Sequence, residues 1–300
     1  MDKPPTMTTQ TIILHLVRMG GITTVLVFCM LYPFLPGNYD GLAVALSTMA
    51  QAFGAAGLLL VPMGVLWLVY ELRKRARTTR NVPHAQRGHW CAVTSLIAAT
   101  MVAVVVSLMG LFSAGISVGC LTLGLWIYIA SKLIPGLRRL KKAESADLNP
   151  LPIYLTFIPP TVLACQLMLA APAAELSRNR AITASAPLIH EIERHHAEYG
   201  RYPSSLLAIN QDYFPSVVGI EKFHYAPSGN AYNLFFEQPL FLFDKIGTRE
   251  FVVFNKLDEH VMPSHAYWIL IWSPEQLSAN QGWYDVHDAS SPHWKRFWFD

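Results

Sequence analysis

Glu191, His195 and Glu198 stand four and three residues apart, so on a helix all three project to one side. Two carboxylates around an imidazole suit a divalent metal ion. They equally suit a solvated helix face, which needs no ligand. Of the 11 histidines, the eight at 190, 195, 196, 224, 260, 265, 287 and 293 lie in the last part of the chain. His260, His265, His287 and His293 are further candidates to complete such a site, yet no pair among them has a familiar ligand spacing. The triplet stays a metal candidate, and the sequence assigns no metal, cofactor or catalytic residue. No Gly-x-Ser-x-Gly elbow and no phosphate loop occurs. Cys29, Cys91, Cys120 and Cys165 all sit in earlier apolar runs and read as small packing residues. Asp285-Val286-His287-Asp288 sets acids beside a histidine and reads as a polar loop before a last strand.

The element that must position the triplet is a helix over 173–199, with a bend expected at Pro187. Ile189, Ile192, His196 and Tyr199 recur at three- and four-residue steps, which predicts a buried stripe and makes His196 a packed core histidine. The stretch HAEYGRYPSS, residues 196–205, then ends the helix. Gly200 is placed for a left-handed C-cap, Pro203 blocks resumption, and Ser204 or Ser205 is placed to cap a short helix through Leu206, Leu207 and Ile209. Beyond Phe214-Pro215 the period changes to two. Residues 222–226 and 231–236 predict a hairpin around a four-residue turn, Pro227-Ser228-Gly229-Asn230, with Tyr232, Leu234 and Phe236 on one face. Further strands are expected at 250–254, 267–272 and 292–299, and a helix start at Ser273-Pro274. Five of the eight tryptophans fall between Trp268 and Trp298, where core is the expected role and glycan stacking the alternative.

The run Tyr199-Gly200-Arg201-Tyr202-Pro203-Ser204-Ser205-Leu206, after an apolar helix and before a hairpin of the Tyr225…Gly229…Tyr232-x-Leu234 type, resembles the globular part of type IV pilins and type II secretion pseudopilins over about residues 151–240. The resemblance implies a long helix packed across a small antiparallel sheet, and a binding or structural role instead of catalysis. The family's Gly-Phe-Thr-Leu-x-Glu leader is not found, and four apolar runs precede the helix, so filament assembly is not expected.

Those runs define the other half. A helix crosses a hydrocarbon core near 30 Å thick with roughly 20 apolar residues. Runs at about 11–35, 41–70, 90–111, 116–134 and 151–171 qualify. No charge occurs from Trp90 to Ser131; as one helix this would reach about 63 Å, so a turn is expected at Phe112-Ser113-Ala114-Gly115. Pro36 to Asp40 reads as a compact turn, and Pro159-Pro160 predicts a kink. Gly115-x-x-x-Gly119 with Thr122 offers a small face for helix packing. Six Lys and Arg lie between Arg73 and Arg87 and five between Lys132 and Lys142, without an acid among them. Next to spans, such blocks mark cytoplasmic loops and argue against nucleic-acid binding.

The expected architecture is therefore a membrane domain, 1–171, with five spans, then an α+β domain, 172–300, with a pilin-like helix on an antiparallel sheet. The expected location is the cell inner membrane, with a cytoplasmic N-terminus and a periplasmic C-terminal domain. The expected function is a non-enzymatic interaction module, accessory to cell-envelope assembly or secretion, whose partners are the lipid bilayer and an envelope protein or cell-wall glycan. The alternative is a metal- or ligand-binding membrane sensor or enzyme using the outer histidines and acids. Transport is disfavoured, because no internal repeat and no charge deep in a span is seen.

Overall fold

The computed structural model describes residues 9–77, 85–142, 149–209, 213–228, 230–244, 248–260 and 284–299. The chain divides into two compact units: residues 1–30 with 45–169, and residues 31–44 with 170–300.

The first unit is helical: α1 (Thr9–Leu31), α2 (Ala43–Ala56), α3 (Leu60–Arg77), α4 (Ala85–Ala114), α5 (Ile116–Lys142) and the start of α6 (Leu151–Tyr199). Five segments are long and apolar enough to cross a membrane: Ile12–Phe34, Ala43–Arg73, Gly88–Ala114, Ile116–Pro135 and Leu151–Tyr199. The second joins α2 to α3 through a single 3-10 turn, Gly57–Leu59. α4 and α5 form a hairpin that reverses at Gly115, whose φ of 89° requires a residue without Cβ. Gly115 is thus a turn residue, and only Gly119 of the expected small face packs closely, 3.0 Å from the Ser107 carbonyl by its missing Cβ. A stronger small-residue row lies on α2 and α3. A Cβ at Gly57 would fall 2.7 Å from Pro159, at Gly64 2.6 Å from Thr156 and at Gly54 3.1 Å from Val162. These glycines let two helix backbones approach. Polar groups share the interior of this unit with Met30, Trp67 and Val162. Gln166 Nε2 donates to Gln51 Oε1 (3.0 Å), Gln51 Nε2 to Ser47 Oγ (2.9 Å), and Ser47 Oγ to the Met30 carbonyl (2.5 Å). Leu121, by contrast, is 73% exposed.

α6 is one helix of 49 residues. It runs unbroken through Pro159-Pro160 and Pro187, and no linker separates its apolar first part from the part that follows. The boundary between the units falls inside it, after Leu169, two residues from the division expected at 171/172.

The second unit has a five-stranded antiparallel sheet in the order β1-β2-β3-β5-β4, from β1 (His224–Ser228), β2 (Ala231–Gln238), β3 (Arg249–Asn255), β4 (Tyr284–Asp288) and β5 (Trp294–Phe299). The β1–β2 ladder runs on through Pro227↔Tyr232 and Ser228↔Ala231, so the turn has two residues and not the expected four. Asp285-Val286-His287-Asp288 is an edge strand on β5 and not a polar loop. The expected strand at 267–272 and helix start at 273 lie outside the described residues. Tyr232, Leu234 and Phe236 share one face, as the alternation predicts, and join Tyr225, Val252, Phe254 and Trp294 in a core with α6. The helix contributes Ala181, Ser185, Leu188 and Ile192, at steps of four, three and four. Ile192 was on the expected stripe; Tyr199 was too, but it is 64% exposed. Phe235, Phe251, Val253 and Phe297 form a second buried cluster on the reverse face.

Residues 31–44 group with this unit. They form more than a turn. Pro36 bridges Val217, Gly37 N–H donates to Ser216, Asp40 N–H to Val218, and the amides of Val218 and Gly219 donate to the carbonyls of Leu35 and Pro33. Phe34 stacks on Phe241 at 4.3 Å. A Cβ on Gly219 would lie 2.6 Å from Pro33, so only glycine admits this approach.

Candidate functional site

The end of α6 is where the chemistry-bearing triplet and the YGRYP stretch meet. Gly200 adopts φ 68° and its amide donates to the His196 carbonyl at 2.9 Å, the expected left-handed cap. From there the chain alternates between docked and free residues. Tyr202 goes inward, stacked on His196 (4.2 Å, 20°) and against Tyr232 (5.0 Å). Pro203 is buried, and its carbonyl accepts from the Tyr225 hydroxyl at 2.8 Å. Burial raises the Tyr225 phenol well above its ordinary range, with Tyr202 and Glu193 adding to it, so this donor keeps its proton. Lys256 ties the same turn of α6 to the end of β3 through Glu193 at 2.6 Å. Tyr199 and Leu207 go outward, and Leu207 is 92% exposed. Leu206–Ala208 form a 3-10 turn; Ser205 occupies its cap position without a side-chain hydrogen bond.

Beside Tyr199 lies a groove of about 250 Å³ lined by Glu191, Arg194, His195, Glu198, Tyr199 and Ile209. Helical spacing thus brings Glu191, His195 and Glu198 together as expected. What fills their coordination differs from a metal site. Glu191 pairs with Arg194 at 2.5 Å, and His195 lies 4.6 Å from the Tyr199 ring with Nδ1 donating to the Arg201 carbonyl at 3.2 Å. Among the described residues no group of three His, Cys, Asp or Glu is disposed to hold a metal ion. The later histidines do not line the groove of the triplet. His293 Nδ1 meets Asp258 at 3.0 Å, His260 bonds the His293 carbonyl, His287 sits on the edge strand β4, and His265 lies outside the described residues.

A second concavity, of about 340 Å³, lies at the β1–β2 edge and takes Tyr39 from the 31–44 segment together with Glu221, Lys222, His224, Glu237 and Arg249. Glu237 and Arg249 face each other across β2 and β3 in a two-point carboxylate–guanidinium pair, one contact at 2.7 Å from Nε and one from Nη2. His224 stacks on Phe235 at 5.1 Å; burial first, and Lys222 second, hold its pKa below the usual histidine value. A neutral imidazole beside fixed charges of both signs can bind a small zwitterion or accept a proton. No sequence motif marks this cleft, because its residues come from four segments.

Also unread from the sequence is a buried ionic network. Glu250 on β3, 1% exposed, accepts from Arg178 on α6 at 3.0 Å and from Arg296 on β5 at 2.6 Å, and Arg178 also pairs with Glu175 at 2.5 Å. Gln238 donates alongside to Ser177 at 2.6 Å. The signal was present: Arg178 stands three residues before Ala181 on the apolar stripe, where a charge needs a partner.

No family model matches the chain, and neither curated proteins nor solved structures yield a match to it.

Proposed function

We propose that the chain is a multi-span membrane protein that carries a pilin-like interaction module on the outer side of a cell inner membrane. One observation carries the reading: a single 49-residue helix supplies first an apolar span and then the face that packs on an antiparallel sheet. Pilin-like modules are built on that sequence of parts. The basic blocks at 73–87 and 132–142 support a cytoplasmic N-terminus and an outward second unit. The recognition surface is the end of α6, where Tyr199 and Leu207 stand exposed on a segment fixed from beneath by Tyr202, Pro203 and Tyr225. Exposed apolar side chains on a pre-organised support are what a partner surface requires. The partner is an envelope protein or glycan, and the role is accessory to envelope assembly or secretion.

Topology reporters fused at 38, 115 and 205 test the orientation: all three are expected outside, and reporters at 80 and 145 inside. A photo-crosslinking residue at Leu207 is then expected to yield a discrete adduct in cells, absent from the same substitution at Glu221. Equal labelling at both positions would sink the recognition surface. The mixed-charge cleft at His224 favours a second reading, a membrane sensor of a small zwitterionic ligand. It predicts that such a ligand raises the Tm of the wild type and not of Arg249→Ala.

A further inference from the structure

The cleft at the β1–β2 edge lies wholly within the second unit, and its two ion pairs are in opposite states. Glu237 and Arg249 are closed on each other through two contacts. Glu221 and Lys222 are open. Their charged ends stand 3.8 Å apart, too far for a hydrogen bond, and both side chains are more than half exposed. Among the described residues neither side chain makes another hydrogen bond. An exposed pair of this kind adds little to stability, so a ligand entering here displaces water and breaks no bond. We propose that the cleft binds a free α-amino acid with an aliphatic side chain, its carboxylate on Lys222 and its ammonium on Glu221. The inference rests on the second reading above, a sensor of a small zwitterion.

Spacing, neutrality and an apolar wall select that ligand. An α-amino acid carries both charges on one carbon, as close together as the ends of Glu221 and Lys222. Set against them in reverse order, the four charges alternate and each gains a hydrogen-bonding partner. A γ-amino acid must be held bent to do the same, at a cost in chain entropy. A betaine has no N–H to give Glu221, and Tyr39 supplies one ring where a quaternary ammonium is held by an aromatic cage. The rest of the lining carries no unbalanced charge. His224 is kept neutral by burial and by Lys222, and Glu237 cancels Arg249. A charged ligand side chain would therefore stand unpaired, whereas Val44, Pro239 and Leu240 offer an aliphatic one an apolar wall. At about 340 Å³ the cleft is at the small end of ligand sites, with room for a single amino acid.

The test uses the full chain in detergent at neutral pH, titrated calorimetrically with L-leucine as the probe and with L-lysine, glycine betaine and γ-aminobutyrate beside it. Saturable binding of L-leucine is expected, with the other three weaker. Lys222→Gln and Glu221→Gln each remove one charge from an exposed position, so the Tm should hold. Leucine affinity should fall roughly tenfold or more in each, the loss of one charge-assisted hydrogen bond. Leu240→Asp sets a carboxylate in the apolar wall and should transfer the preference to L-lysine. Leucine binding unchanged in both glutamine variants would overturn the proposal, as would a leucine preference that survives Leu240→Asp. A preference for glycine betaine or γ-aminobutyrate would overturn it too, while leaving the zwitterion reading standing. A chain that binds none of the four would overturn that reading as well.

Discussion

The two units solve opposite packing problems with the same residue types. In the helical unit Phe112, Met168 and Leu121 stand exposed, and the least exposed residues include Gln51, Gln166 and Ser47. In the second unit the order is the ordinary one, with Phe235, Phe236 and Tyr232 inside and Lys222 and Arg194 outside. A bundle that hides amides and shows leucine to its surroundings is stable only where those surroundings are apolar. On the membrane reading proposed above, the contrast corresponds to two solvents along one chain, and it can be attacked from either side.

The largest effect is expected in the second unit. Glu250→Ala takes the buried partner from both Arg178 and Arg296, leaving Arg178 only the half-exposed Glu175, and should cost about 3–5 kcal/mol, read as a fall in thermal stability. Replacing Glu250 and Arg178 together by apolar residues should recover much of that loss; no recovery would mean the network is more than a paired charge. Next, aspartate is placed at two exposed leucines. Leu121→Asp should cost about 2.5–3.5 kcal/mol of membrane insertion, while Leu207→Asp should alter stability by no more than about 0.5 kcal/mol, because water already surrounds it. Equal responses would break the two-solvent comparison. Helix contact gives a third contrast. Gly57→Leu must displace Pro159 and should reduce the yield of folded protein, whereas Gly124→Leu, with nothing near its missing Cβ, should leave the yield unchanged.

The smallest effect concerns pH. The folded-state pKa of His224 is depressed by burial and by Lys222, so below the ordinary histidine value the unfolded chain takes up the proton more readily. Stability carried by neutral His224 is present above that ordinary value and is lost as pH falls through it toward the folded pKa. His224→Phe, which keeps the stack on Phe235, should flatten the acid side of the stability–pH curve; an unchanged slope would assign it to His260, also depressed by burial.

What was legible before folding was local. The Gly200 cap, the one-sided face of Tyr232, Leu234 and Phe236, the reversal at Gly115 and the five apolar runs each follow from residues near one another in sequence. What was not legible depends on distant partners. Tyr199 fits the helical period as well as Ile192 does, but only Ile192 has the sheet beneath it. Asp285 to Asp288 alternates too weakly to announce a strand, and β5 supplies the pairing. Of the site, the gathering of Glu191, His195 and Glu198 follows from helix geometry alone; the guanidinium of Arg194 against Glu191 was the competitor left out. The cleft at His224 needed Tyr39, Glu237 and Arg249, which no window of sequence contains.

The stitching of residues 33–40 to 216–219 carries a consequence for how the chain is made. Pro36 leaves the ribosome about 180 residues ahead of Val217. At 5–20 residues per second that interval is roughly 9–36 s. Through it, the Pro33 and Leu35 carbonyls and the Gly37 and Asp40 amides have none of their eventual partners. The 33–40 segment is thus completed last, by residues synthesised after all five long apolar segments, and a nascent chain halted before residue 216 should expose it to protease.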